Sequence, residues 1–421
     1  FTLPPLLLSY SVIMRQLSPY SPQPIMKYNW QHPNWPNFVY QPQAGQAAHS
    51  QFTLNAGKLT GKVSMLDKSD QYDAYLELMV SEAISTSAIE GEILDRASVR
   101  SSLKNHLGMT LPPERIIDPK VLGISALMMD VRKNINQSLS KATLCQWHKM
   151  VLPEGGVLHQ PLIGEYRQSS EPMQIVSGPI GYQQVHFEAP PATELDSQMD
   201  IFLEWYNNTA PIIGEPEKMP CTQRAALAHL WFESIHPFDD GNGRIGRAIA
   251  EHAIGQGLGQ PPLLSISSAV ELDRSTYYEQ LHQASLADTN LDVTRWVEYF
   301  STVISLAQVN AGENIAFVLG KAQFWDTHRN TRMNDRQKKL IKKMLDAGKD
   351  GYVTGINAKK YQNMTRCSRA TATRDLTDLH KKRVFAKLPG SGRNTRYEIL
   401  LPNPTQEPVY GQTQNDNEFD I

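Results

Sequence analysis

His236-Pro237-Phe238-Asp239-Asp240-Gly241-Asn242-Gly243-Arg244-Ile245-Gly246-Arg247 is the stretch on which the reading of this chain turns. A helical pattern, TQRAALAHLWFESI, delivers His236 into a loop, and a second, RIGRAIAEHAI, begins at Arg244. Gly241 and Gly243 let the backbone between them turn its amides toward an anion at the start of that second helix, which makes a phosphate cradle. Arg244 and Arg247 lie three apart in its first turn, so both guanidinium groups reach the same side and can clamp phosphate oxygens. Asp240 offers a carboxylate where a phosphate-bound Mg²⁺ needs an oxygen ligand. With an ordinary pKa of ~6.5, His236 can accept a proton from a hydroxyl at neutral pH. Singly, each residue has a plain structural use: a His before Pro can end a helix, and paired Arg can be surface charge. Gathered in one short stretch, they are the parts that phosphoryl or nucleotidyl transfer requires.

Outward from that stretch the chain is patterned for helices. Residues 67–94 space Leu76, Met79, Val80, Ala83 and Ile84 at threes and fours, which predicts a long amphipathic helix broken near Gly91. Similar patterns cover 119–139, 143–152, 194–208, 274–286 and 293–319. MQIVSGPIGYQQVHF is the exception, two β-favouring runs around Gly178-Pro179-Ile180-Gly181 that read as a hairpin. The fold class expected is therefore mainly α, a helical bundle with one small hairpin.

Beyond residue 320 the character changes. Residues 321–400 hold 20 Lys and Arg against 7 Asp and Glu, while the rest of the chain holds 21 against 36. The overall charge of −2 thus hides a basic module attached to an acidic body. A helix from the cap Asn334 to Gly348, a second over 352–365, a third capped by Ser368, and two strand-like runs around Pro389-Gly390-Ser391-Gly392 give the order of a winged helix-turn-helix. The third helix would be the recognition helix, with Arg369, Arg374, Lys381, Lys382 and Arg393 meeting DNA phosphates and base edges. Such modules also dock proteins, and a basic solvated face is the plain alternative.

The composition, 40% hydrophobic and 20% charged with 26 Gly and 27 Pro, is that of a globular chain, and its length suits two or three domains. No uninterrupted apolar run approaches the ~18 residues that cross a bilayer, so no membrane association is expected. Cys145, Cys221 and Cys367 are too scattered for a disulfide framework or zinc knuckle, which points to a reducing, cytoplasmic setting. Expected divisions are an extension of doubtful status over 1–25, with a natural start at Met26, an N-terminal module over 26–100, a catalytic core over 101–319, the winged helix over 320–400 and a disordered tail over 401–421.

The stretch at 236–247 fits the motif HxFx(D/E)GN(G/K)RxxR at every fixed position, and the chain over about 67–310 resembles the Fic family. Gly164-Glu165-Tyr166-Arg167, the hairpin and STYYEQL lie where that family has comparable features. The resemblance implies transfer of AMP from Mg-ATP to a Ser, Thr or Tyr hydroxyl of a protein target, and of the enzyme itself. It implies that His236 is the base, Asp240 holds Mg²⁺, Asn242 and the amides of Gly241 and Gly243 line the anion hole, and Arg244 and Arg247 hold the outer phosphates. The hairpin is similar to the family's flap, which makes Ile175, Val176 and Val185 candidates for positioning the target by strand addition. Tyr277 and Tyr278 are candidates for the adenine side, or core aromatics at helical spacing.

Thr86-Ser87-Ala88-Ile89-Glu90-Gly91 is similar to the family's inhibitory pattern (S/T)xxxE(G/N). The resemblance implies that Glu90 pairs with Arg247 and removes the clamp for the donor's terminal phosphate. The opening MKYNWQHPNWPNF resembles the module found before such cores, and relatives of this layout form homodimers. Alternatives left open are a different nucleotide donor, removal of AMP, and a nucleotide-sensing DNA-binding regulator.

Overall fold

The computed structural model describes residues 28–402, apart from 110–111, 153–160, 178–181, 183, 213, 216, 287–289, 350, 353 and 390–394. The expected extension, the hairpin turn at Gly178–Gly181, Arg393 with the turn at 390–392, and all but the first two residues of the expected tail lie outside the described residues. The chain is mainly helical and falls into two compact units, one within 1–66 and 75–311, the other within 67–74 and 312–421.

In chain order the first elements are α1 (Gln46–Ser64), α2 (Lys68–Ile89), α3 (Arg96–His106), α4 (Pro119–Lys133) and α5 (Lys141–Val151). Next come strands β1 (Gln174–Ser177) and β2 (Gln184–Glu188), then α6 (Leu195–Asn208), α7 (Cys221–Ile235), α8 (Asn242–Leu258), α9 (Ile266–Leu272), α10 (Arg274–Ser285) and α11 (Thr294–Thr327). Helix starts carry the expected chemistry: Asp95, Asp118, Ser140, Ser265 and Asp273 each accept a backbone N–H of the first turn. Helix α4 also has Pro119 at its start, where the missing N–H costs nothing.

Helix α7 is buried along its whole length, and α8 packs along it with most of its residues inside. Around this pair stand Phe202 and Tyr206 of α6 and Trp296 and Phe300 of α11, all fully buried. Trp296 donates its indole N–H to the Ala226 carbonyl, so a large ring is placed without stranding a polar atom. By length and composition alone α11 could cross a bilayer, although no uninterrupted apolar run in it reaches that length. More than half of its most apolar window, 56%, is buried within the protein, as befits a core helix.

Strands β1 and β2 pair antiparallel, Val176 opposite Val185 and Ile175 opposite Phe187, with an irregularity in register between Ile175 and Val176. The base of the hairpin rests on the segment at 28–31: Phe187 meets Tyr28 edge to face, and Trp30 donates its indole N–H to the Glu188 carbonyl at 2.6 Å. Tyr28 and Trp30 of the aromatic opening, whose role the sequence left undefined, thus brace the hairpin.

The second unit holds α12 (Asp335–Asp346), α13 (Ala358–Thr365), α14 (Arg369–Lys381) and the antiparallel strands β3 (Phe385–Lys387) and β4 (Tyr397–Ile399), with Ile356 bridging to Tyr397. Asn334 caps α12 in a reciprocal box with Gln337, and Ser368 caps α14 as expected. Its core gathers Leu340, Ile341, Tyr361, Leu376, Leu379 and Phe385.

Candidate functional site

Helix α7 stops at His236, whose backbone lies in the left-handed region at φ 51° and ψ 60° while its N–H still reaches the Phe232 carbonyl. A side chain rarely accepts that conformation without outside support. Pro237 disfavours continued helix. Arg167 supplies the support: its Nε donates to the His236 carbonyl at 2.9 Å, its Nη2 to Pro190, and its backbone N–H to Pro237. Burial pushes the Arg167 guanidinium down to about 10, so it remains charged at neutral pH.

The loop that follows is closed from within and pinned from α5. The Asn242 amide accepts the Phe238 N–H at 3.0 Å and donates to the Phe238 carbonyl at 2.8 Å. The Asn242 side chain thus closes the loop with one donor and one acceptor bond to the Phe238 backbone. Phe238 is buried against the ring of His148, with centroids 4.1 Å apart. His148 accepts the Gly164 N–H at Nδ1, so Nε2 carries the proton and donates to the Asp240 carbonyl at 3.1 Å. Burial lowers the pKa of His148 to about 4, keeping it in that neutral form.

Gly241 caps α8 with φ 80°, and Asn242 begins the helix. Asp240 accepts the Gly241 N–H on one oxygen, and burial raises its pKa above the usual carboxylate range. No group of three or more His, Cys, Asp and Glu forms a metal cage among the described residues. Mg²⁺ commonly binds through one or two carboxylates plus phosphate oxygens and water, so Asp240 beside the turn at the start of α8 is a donor set that fits it.

Both arginines of α8 are buried and already partnered. Arg247 donates from Nε to the Thr86 hydroxyl at 2.9 Å and from Nη2 to the Thr86 carbonyl and to Glu90 Oε1 at 2.8 Å. Burial would depress this guanidinium, and the Glu90 carboxylate more than reverses it. Arg244 donates to Glu92 Oε2 at 2.9 Å, a partner the sequence reading did not single out. A side chain at Gly243 would press on the Glu90 carboxylate, since a Cβ there would come too close to Glu90 Oε1 and force that oxygen to shift.

His236 has its Nδ1 3.8 Å from the Glu233 carboxylate. Burial and the Arg167 charge lower the His236 pKa to about 4, while burial pushes Glu233 up to about 8. At neutral pH the imidazole is neutral and Glu233 mostly protonated. A cavity of about 110 Å³ is bordered by Glu90, His236, Asp240, Gly243, Arg247 and the hairpin residues Ile175 and Val176. Tyr277 and Tyr278 also border it; Tyr277 is a core side chain whose hydroxyl meets His229 Nε2 at 2.7 Å. Val185 is 38% exposed on β2 and does not border the cavity. A second cavity of about 260 Å³ adjoins through Ile175, Glu233, Tyr278 and Leu281 and runs between β2 and α10.

Residues 138–254 match the family model described as Fic/DOC family, and the chain carries a Fic/DOC domain there. Residues 28–109 match a domain of unknown function, DUF4172. The chain is 31% identical over 208 residues to a protein from Nematostella vectensis named protein adenylyltransferase Fic, covering 48% of this chain and 42% of that protein. It thus spans less than half the length of that relative. A protein from Xanthomonas campestris pv. campestris (strain 8004) named uridine 5'-monophosphate transferase is 28% identical over 128 residues, 30% of this chain and 23% of that one. A Fic family protein from Desulfovibrio desulfuricans G20, known from a crystal structure, aligns at 19% identity with a TM-score of 0.49, over 87% of this chain and 98% of that one.

Proposed function

We propose that the chain is an autoinhibited protein adenylyltransferase that moves AMP from Mg-ATP to a Ser, Thr or Tyr hydroxyl of a protein target and of itself. One observation carries the reading: the buried His236 stands beside an amide-lined turn whose two arginines, Arg244 and Arg247, face carboxylates from the end of α2. In the reaction, His236 takes the proton of the acceptor hydroxyl, whose oxygen attacks the α-phosphorus. The new P–O bond forms as the bond from the α-phosphorus to the bridging oxygen breaks, and pyrophosphate leaves. Asp240 would hold Mg²⁺, which supplies charge neutralisation on the phosphates. The Gly243 amide and the two guanidinium groups orient the donor, joined by the Gly241 amide when Asp240 gives up the bond it now accepts from it, and strand addition at Ile175 and Val176 presents the target. Glu90 opposes this by holding Arg247, the residue that would grip the donor's terminal phosphate.

The donor base is the open choice within this reading, since a relative 28% identical over 128 residues is named for UMP. Incubating Glu90→Gly with Mg²⁺ and an equimolar mixture of nucleoside triphosphates, then weighing the protein, decides it. An AMP adduct is expected. A UMP or other adduct would replace the donor, and loss of AMP from a pre-modified target with no forward adduct would replace the direction.

A second reading, contact of the basic unit with duplex DNA, rests on how α14 sorts its charges. Its acids, Asp375 and Asp378, bond Arg336, Gln337, Tyr361 and Lys382 within the unit. Arg369, Arg374 and Lys381 are exposed and form no ion pair among the described residues. Lys382 departs from the expected set, being tied to Asp378 and the Arg332 carbonyl. Three unpaired cysteines support a reducing setting.

A further inference from the structure

We infer that Glu92 is a second inhibitory carboxylate, and that Glu90 and Glu92 together occupy the phosphate clamp as an internal substitute for the donor's polyphosphate. The inference rests on the adenylyltransferase reading of the site and assigns a role to a residue outside the (S/T)xxxE(G/N) pattern.

The geometry begins at the end of α2. Gly91 adopts φ 80°, its N–H reaches the Ala88 carbonyl, and the Glu92 N–H reaches the Ser87 carbonyl at 2.9 Å. This pair of bonds is the Schellman closure of a helix, which requires the left-handed residue that glycine supplies. The closure projects Glu90 and Glu92, on either side of Gly91, toward α8. Glu90 takes Arg247 and Glu92 takes Arg244 at 2.9 Å, so the two carboxylates meet the two arginines one to one. Glu92 also bridges with its other oxygen to Lys120 at the start of α4, 2.7 Å away. Lys120 is half exposed, whereas the Arg244 side chain is only 5% exposed. The buried guanidinium is thus held by an anion of this chain that a phosphate oxygen must displace. A cation paired with a carboxylate presents little net field to a second anion, and the Arg244 Nη1 N–H is engaged by Glu92 while its Nε has no partner among the described residues.

Arg274 donates to the Ala88 carbonyl at 3.1 Å and helps hold this helix end in place. Removing Glu90 alone therefore leaves the helix end docked and Arg244 still covered. The expected pattern is graded: Glu90→Gly opens one half of the clamp, Glu92→Gln the other, and the double variant both.

The test measures Mg-ATP affinity by calorimetry and AMP incorporation by intact mass for wild type, Glu90→Gly, Glu92→Gln and the double variant, with thermal midpoints confirming folding. The expected result is that adding Glu92→Gln to Glu90→Gly tightens Mg-ATP binding and speeds incorporation by about three- to tenfold, a range set by loss of one charge-assisted pair. Binding and incorporation equal to, or weaker than, those of Glu90→Gly would overturn the proposal and make Glu92 a support for Arg244. Should no variant incorporate AMP, the adenylyltransferase reading falls, while the binding series still decides whether Glu92 competes with phosphate.

Discussion

At Gly91 a single backbone angle decides whether two carboxylates reach two arginines. With φ at 80° and nothing near its missing Cβ, Gly91→Ala meets backbone strain and no clash. The expected cost is about 1 kcal/mol. It should appear as faster amide exchange at Ala88–Glu92 and as raised AMP incorporation, because the strained end releases Glu90 and Glu92; unchanged exchange would contradict this. The buried histidines carry a pH signature. His148, His236 and His252 are lowered to about 4 and His229 to about 3, chiefly by burial. Below the ordinary pKa of ~6.5 the unfolded chain binds protons that these folded sites refuse, so stability falls as pH drops from 6.5 toward 4. Glu233, raised to about 8 by burial, acts oppositely: its proton is retained in the fold, and stability falls as pH rises from the ordinary carboxylate range toward 8. Thermal midpoints should therefore decline on both sides of a middle range, and Glu233→Gln should flatten the alkaline side.

Elements show where sequence and structure part. Helix α12, with its strong apolar stripe, and α7, apolar enough to be buried all round, were legible, and so was the end of α2 near Gly91, although α2 stops at Ile89 and does not run to Leu94. Helices α1, α3 and α9 were not anticipated. α1 spaces only Phe52, Ala56, Leu59 and Val63 inward among polar residues and two glycines, and α9 has seven residues, too few to establish a period. The loop at 236–247 was legible because its chemistry is contiguous. The roles of Arg167, His148 and Glu92 were not, because each acts on partners far along the chain through contacts that only the fold creates. In the second unit, Asp375 of α14 accepts from Asn334, Arg336 and Tyr361, and burial of this cluster joins three helices. Asp375→Asn removes one acceptor oxygen and the charge opposite Arg336 and should destabilise that unit, read as a lower midpoint in denaturant unfolding. On its outer face, Arg369→Ala with Arg374→Ala should weaken duplex DNA binding and reduce the slope of log affinity against log salt by about two. An unchanged slope would remove DNA from the account.

Across the whole molecule, charge and chemistry are divided between an acidic body that carries the proposed phosphate clamp and a basic unit that carries the exposed arginines. Both arginines of that proposed clamp are covered by carboxylates of the same chain. That arrangement predicts an enzyme whose resting activity is set by the end of α2 and not by the reacting groups. The most direct measurement is intact-mass analysis of wild type, Glu90→Gly and Glu90→Gly/His236→Ala after incubation with Mg-ATP. AMP on Glu90→Gly, little on wild type and none on the double variant is the result predicted by a His236 base held back by Glu90. Equal labelling of wild type and Glu90→Gly would contradict the inhibitory pairing, and labelling that survives loss of His236 would contradict the assigned base.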